Sequence, residues 1–215
     1  MAAYPVSAHS VRPHFRFRRW TLAIISIVAC AWIALPNAGA TDTAGKVEDL
    51  KGSAFADSGQ QHRALDKASP IYVGDRVSTG AGSRLTMRLG TDTTVKLGEN
   101  TQLVIDKFLP ETGGEISLES GPMLFDRPPG ARRMPMQIRS AYALIAVRGT
   151  QFFAGPSNNV FGVFVQNGTL EVSGAGTKVT LSAGQGTNLQ APGAAPTPPV
   201  NWGQPRIDAA YASVR

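Results

Sequence analysis

Ser83-Arg84-Leu85-Thr86-Met87-Arg88-Leu89-Gly90-Thr91-Asp92-Thr93-Thr94-Val95-Lys96-Leu97 is the stretch that decides the fold class. Apolar side chains fall on every second residue: Leu85, Met87 and Leu89, then Val95 and Leu97. Successive side chains of a strand point to opposite faces, so this period of two predicts two half-buried strands. One face is core and the other is wet. The pattern continues on both sides. Thr101 to Phe108 carries Leu103 and Ile105 on one face. Tyr142 to Val147, Phe161 to Val165, Leu170 to Val172 and Val179 to Leu181 repeat it. Gly80-Ala81-Gly82, Gly113-Gly114, Asn167-Gly168, Gly174-Ala175-Gly176 and Gly184-Gln185-Gly186 punctuate the runs as turns. The prediction is an all-β fold: a single domain of short, mostly antiparallel strands, as a roll or sandwich.

A weaker repeat sits inside it. Val47, Ile116 and Val163 each precede a glycine by five residues (Gly52, Gly121, Gly168), with Ala54, Met123 and Leu170 two beyond. Each reads as strand, glycine turn, strand. The repeat keeps a β-helix-like winding as the alternative architecture. Asn167-Gly168 is the sharpest of the three, because Asn-Gly supplies the positive φ angles of a two-residue hairpin.

The 215 residues carry 21 Lys and Arg against 15 Asp and Glu. Much of the excess lies at the N-terminus. Residues 1–20 hold Arg12, Arg16, Arg18 and Arg19 and no acid. Thr21 to Leu35 is an apolar run, Pro36 breaks it, and Ala38-Gly39-Ala40 is an A-x-A site. These features predict a secretory signal peptide over residues 1–40, with Ala38 and Ala40 recognised and Thr41 as the new N-terminus. The same residues allow an uncleaved membrane anchor, or a lipid on Cys30 in Ile27-Val28-Ala29-Cys30, although Ala31 to Leu35 stays apolar after that cysteine. Cleavage removes four arginines and no acid, leaving 17 cationic residues, 15 acids, no cysteine and one histidine, His62. A near-neutral chain in that compartment excludes nucleic acid as a natural partner. Without thiols, and with one histidine, it excludes a cysteine nucleophile and a Cys/His metal site. His62 lies in polar Gln60-Gln61-His62-Arg63 and reads as an exposed loop residue, not a triad base. No glycine cluster completes a dinucleotide fingerprint, and no cofactor is expected. A carboxylate pair of the glycosidase kind stays open, because it is defined by geometry.

Three features remain. Residues 191–215 form a Pro-rich tail whose five prolines between 191 and 205 favour extended chain. Trp202 either tucks back on the domain or stays in the tail, and Arg206 to Arg215 forms a helical turn or nothing. Gly121 to Thr150 is basic, and Arg127-Pro128-Pro129-Gly130-Ala131-Arg132-Arg133 reads as an exposed loop. Arg127, Arg132 and Arg133 there are candidates for an anionic partner, such as a wall polymer, a lipid head group or an acidic protein face.

The ordered set Gly74-Asp75-Arg76-Val77-Ser78-Thr79-Gly80, Ser83 to Leu89, Thr94 to Thr101, Ala146-Val147-Arg148-Gly149-Thr150-Gln151-Phe152, Val163 to Val172 and Leu181 to Gln185 resembles the FecR-like periplasmic domain over about residues 45–190. Thr91-Asp92-Thr93 departs from the family's Asp-Gly turn, so that hairpin is expected to be longer or bulged. The resemblance implies an all-β periplasmic module. In the best-known members it relays a signal from an outer-membrane receptor to a sigma factor. Here about 20 residues precede the apolar run, too few to fold or to hold a sigma factor. The expectation is therefore a stand-alone, exported, non-enzymatic domain at residues 41–190 that binds another envelope protein or polymer. A membrane-anchored adaptor feeding a sigma-factor-type system is the alternative. Gly74, Asp75, Thr79, Arg148, Gly149 and Thr150 read as structural: glycines for turns, Asp75 and Thr79 bonded to nearby backbone. Arg148 is expected to pair with Asp75 or Asp106, because an unpaired buried charge is costly.

Overall fold

The structure, a computed structural model, describes residues 1–2, 42–59, 61–109, 112–128, 130–131, 135–147 and 149–215. The predicted cleavage site, Cys30, Arg132, Arg133 and Arg148 lie outside the described residues. The described strands run in chain order as β1 (Thr43–Lys51), β2 (Ala54–Ser58), β3 (Gln61–Ala64), β4 (Pro70–Tyr72), β5 (Arg76–Thr79) and β6 (Arg84–Leu89). Then come β7 (Thr93–Leu97), β8 (Gln102–Leu109), β9 (Gly113–Ser120), β10 (Met123–Asp126), β11 (Met136–Ser140) and β12 (Leu144–Val147). The last are β13 (Gln151–Ser157), β14 (Val160–Asn167), β15 (Thr169–Gly174), β16 (Thr177–Ser182), β17 (Gln185–Leu189) and β18 (Val200–Asn201), followed by helix α1 (Gln204–Ala212).

They form two nine-stranded sheets. Sheet one orders β18-β17-β14-β13-β10-β7-β6-β1-β4, and sheet two orders β16-β15-β12-β11-β9-β8-β5-β2-β3. The chain crosses from one sheet to the other after every one or two strands. Neighbours are antiparallel except β9 and β11, which run parallel because β10 between them lies in the other sheet. The all-β expectation holds. The period-two faces hold as well: β6 buries Leu85, Met87 and Leu89, and β7 buries Val95 and Leu97, all fully. These join Ile105, Ile116, Phe125, Ile138, Phe152, Val163 and Val172 in one core between the sheets. Each such side chain contributes roughly 1.5–3 kcal/mol by leaving water.

The glycines divide into two kinds of turn. Asn167-Gly168 is not a hairpin. β14 before it belongs to sheet one and β15 after it to sheet two. Gly52 and Gly121 sit at the same kind of crossing, β1 to β2 and β9 to β10. All three have φ between 80° and 88°. Each also lies against the hydroxyl residue of another crossing. A Cβ would meet Ser83 Oγ at 2.3 Å from Gly52, Thr101 Oγ1 at 2.3 Å from Gly121, and Thr150 Cγ2 at 2.6 Å from Gly168. The repeated glycine therefore marks where two corners stack. True two-residue hairpins occur at Asn158-Asn159 and Ala175-Gly176, where both residues have positive φ. The β6–β7 hairpin has the longer loop expected, Gly90-Thr91-Asp92, closed by the pair Leu89 and Thr93. Gly113-Gly114 is strand, not turn: a Cβ would meet Pro135 O at 2.1 Å or Lys107 O at 2.4 Å, so the glycines admit neighbouring backbone.

The tail folds back. β18 pairs with β17, and α1 packs against β13 on the outer face of sheet one. Pro205 sits at the start of α1, where proline's missing N–H costs nothing. Trp202, Ala210, Tyr211 and Val214 bury Leu124, Phe153 and Phe164 in a second apolar cluster. Outward side chains of β10, β13 and β14 are apolar there, and that surface drives the tail to cover them.

Candidate binding surface

Asp75 lies in the turn into β5 and is fully buried. Its Oδ2 accepts from Arg63 Nη2 of β3 at 2.6 Å and from the Tyr72 N–H at 2.8 Å. Arg63, which local spacing does not single out, is its partner; Asp106 is exposed on β8. Thr79 donates to the Gly98 carbonyl at 2.6 Å and accepts from the Thr101 N–H at 3.0 Å, which joins two sheet crossings. Gly74 and Gly149 have φ of 89° and 65° with open space at the Cβ position. They serve positive φ, not close packing. Thr150 is buried beside Gly168.

Arg127 is not an exposed loop cation. It is 3% accessible, and its N–H donates to the Thr150 carbonyl at 3.2 Å. Burial lowers the pKa of its guanidinium, while the charge of Asp92 acts the other way. That backbone bond ties the start of the loop to the Thr150 corner, and the side chain lies largely out of solvent. The described loop residues Pro128, Gly130, Ala131 and Pro135 rim a groove on the outer face of sheet two, of about 1010 Å³. Its floor follows the strand register. Gln137 of β11 pairs with Ala146 of β12, Ala146 with Glu171 of β15, and Glu171 with Thr180 of β16. Gly149, Gly168 and Thr169 close one end. Glu171 accepts from Lys178 Nζ at 3.0 Å, in solvent. The floor mixes polar Gln137, Glu171 and Thr180 with Ala146, and the groove ends at β16, an edge of the sheet. Such a surface suits an extended polar chain or an added strand, whose main chain would find unpaired N–H and C=O groups at the edge.

The family model for FecR protein matches residues 75–187, from buried Asp75 to β17, over half of the chain. The chain belongs to the FecR family. Two crystal structures of a candidate anti-sigma factor from Parabacteroides distasonis share its fold, each at a TM-score of 0.51 and 17% identity. The alignments cover 62% of this chain and 63% and 62% of those chains, so less than two thirds of that protein is represented. No curated protein matches the sequence.

In this FecR domain the matched segment contains the groove but stops short of β18 and α1. His62 lies on edge strand β3 and not in a loop. It is exposed, stacks on Phe55 at 4.8 Å and meets Asp57 Oδ1 at 2.5 Å. Among the described residues no three His, Cys, Asp or Glu side chains are grouped to hold a metal ion. Among them, too, no helix is long and apolar enough to cross a membrane.

Proposed function

We propose that this FecR domain is an exported, non-enzymatic module that binds another component of the cell envelope through the groove of sheet two. The observation that carries this reading is the row Gln137, Ala146, Glu171 and Thr180, which runs across four strands from under the basic loop to free edge β16. Edge pairing supplies affinity through main-chain hydrogen bonds, and the loop with Arg132 and Arg133 supplies charge selectivity. Export follows from the basic, apolar and A-x-A sequence of residues 1–40, with cleavage after Ala40 leaving Thr41 first.

The second reading is an adaptor held at the membrane by the same N-terminal segment, or by a lipid on Cys30. It relays an envelope signal to a sigma-factor-type system. Membership of the FecR family and the fold shared with a candidate anti-sigma factor favour it.

A photo-cross-linking residue at Thr180 in the full chain, in native envelopes, tests both. A discrete cross-linked protein or polymer, absent when the probe replaces Lys107 outside the groove, supports the groove. Equal cross-linking from both positions overturns it. Mass spectrometry of the bait's N-terminus separates the readings: Thr41 means a free module, and retained residues 1–40 or a lipidated Cys30 mean the adaptor.

A further inference from the structure

The outer face of sheet one is divided. On β10, β13 and β14 it carries Leu124, Phe153 and Phe164, which lie under the tail. On β1, β6 and β7 it carries cations. Arg84, Thr86 and Arg88 alternate outward with buried Leu85, Met87 and Leu89. Lys51 stands opposite Arg84, and Lys46 opposite Arg88. Lys96 of β7 stands opposite Thr86 and next to Leu124, at the border of the covered half. Five cations thus share one patch with Glu48 and Asp49, and Asp126 of β10 lies at its border beside Thr94. Glu48 is occupied by Arg88 through bonds of 2.8 and 3.3 Å. Among the described residues no carboxylate lies within ion-pair distance of Lys46, Lys51, Arg84 or Lys96.

Like charges directly opposite one another on two strands destabilise the pair. Two such pairs on the same two strands need a reason outside the fold. Sheet two offers a contrast: Arg76 pairs with Glu119, Arg139 with Glu115 and Lys178 with Glu171, and Lys107 stands opposite Glu115.

We propose that this half of sheet one is a docking face for an anionic phospholipid surface. Strands are about 4.8 Å apart and alternate residues about 6.8 Å apart, so the cations form a two-dimensional array. A two-dimensional array suits a surface of phosphate groups better than a single linear chain. In the adaptor reading, which keeps residues 1–40, β1 with Lys46 and Lys51 begins eight residues after the apolar run ends at Leu35, a reach of at most about 28 Å. Each Lys or Arg at an anionic surface contributes about 1 kcal/mol, which is about fivefold in partitioning, and the effect is screened by salt. The face is distinct from the groove of sheet two, so either can fail without the other.

The test is co-sedimentation of the full chain with vesicles of phosphatidylglycerol in phosphatidylcholine, against phosphatidylcholine alone, over a salt series. Lys46→Gln, Lys51→Gln and Lys96→Gln together are expected to reduce the salt-sensitive binding about a hundredfold. Arg76→Gln, Arg139→Gln and Lys178→Gln remove the same charge from sheet two and are expected to leave it nearly unchanged. Melting curves establish that both triple variants fold, and the double variant Lys46→Gln, Lys51→Gln, expected to lose about 25-fold, repeats the test with less change. Equal losses in both triples mean net charge alone and overturn the proposal. So does binding that ignores salt and phosphatidylglycerol, which would come from the apolar run. Capture of an acidic protein by this face without vesicle binding overturns it as well.

Discussion

Trp202 lies so close on Gly186 that a Cβ at that glycine would come within 2.2 Å of the indole Nε1. Gly162 leaves the same room on the neighbouring strand, at 2.7 Å from Cη2. The Phe164 ring stacks on the indole at 5.1 Å, and the Arg206 guanidinium sits 3.5 Å from its centre. Arg206 is tied down by Ser157 Oγ at 3.0 Å and Asn188 Oδ1 at 2.7 Å. Two glycines make a flat seat, and the seat holds the tail on the sheet.

Filling the seat should lift the tail. Gly186→Ala is expected to destabilise by about 1–3 kcal/mol through overpacking. Trp202→Ala should cost about 3–5 kcal/mol through the cavity it leaves. The double variant should cost less than the sum, because both changes release the same segment. Urea denaturation followed by circular dichroism measures all three. Additive losses would show that the tail and the seat are independent.

The corner glycines should be unequal. Gly121→Ala meets both a positive φ and Thr101 backbone at 2.5 Å, and is expected to cost more than about 3 kcal/mol. Gly74→Ala and Gly149→Ala meet positive φ in open space and should cost about 1–2 kcal/mol each. Thermal melts of the three variants rank them. A Gly149 variant as damaged as the Gly121 variant would contradict the assignment.

Asp75 is completely buried while Arg63 is 23% accessible. The two single variants therefore differ. Arg63→Ala leaves a buried carboxylate without its cation and should cost about 3–5 kcal/mol. Asp75→Asn leaves a cation that reaches water and should cost less, about 1–3 kcal/mol. In Arg63→Ala, adding Asp75→Asn should restore stability. A double variant worse than Arg63→Ala alone would refute the pairing.

Tyr211 sets an alkaline limit. Burial raises its hydroxyl from the ordinary 10 to about 12, with Asp126 adding to the rise and Arg215 opposing it. The folded state holds the proton after the unfolded chain has lost it. The stabilisation is whole below pH 10 and falls away as pH rises from 10 towards 12, by at most roughly 3 kcal/mol in all. Tyr211→Phe should flatten that part of the stability curve. Denaturant titrations at stepped alkaline pH measure the slope, and an unchanged slope in the variant would assign it elsewhere.

The strands and their buried faces were legible because period two is a local property. Leu85, Met87, Val95 and Leu97 show their face within a few residues of chain. The family signature was legible for the same reason: it is a fixed order of short local pieces. Arg127 was not legible. Flanked by prolines and other arginines, it has the composition of a solvated loop, yet it lies under the Thr150 corner. Nor does any spacing connect Arg63 to Asp75, because they meet across a turn and two strands.

The sequence by itself determined the alternating inward faces of strands such as β6 and β7, and that the fold is all-β. Steric limits on the backbone and the hydrophobic pattern act over a few residues and require nothing else. The tertiary structure decided which glycines close hairpins and which carry the chain between sheets. It also decided that Trp202 seals sheet one and that the cations of β1, β6 and β7 share one face. Each of these depends on residues far apart in the chain, brought together when two twisted sheets close on a common core.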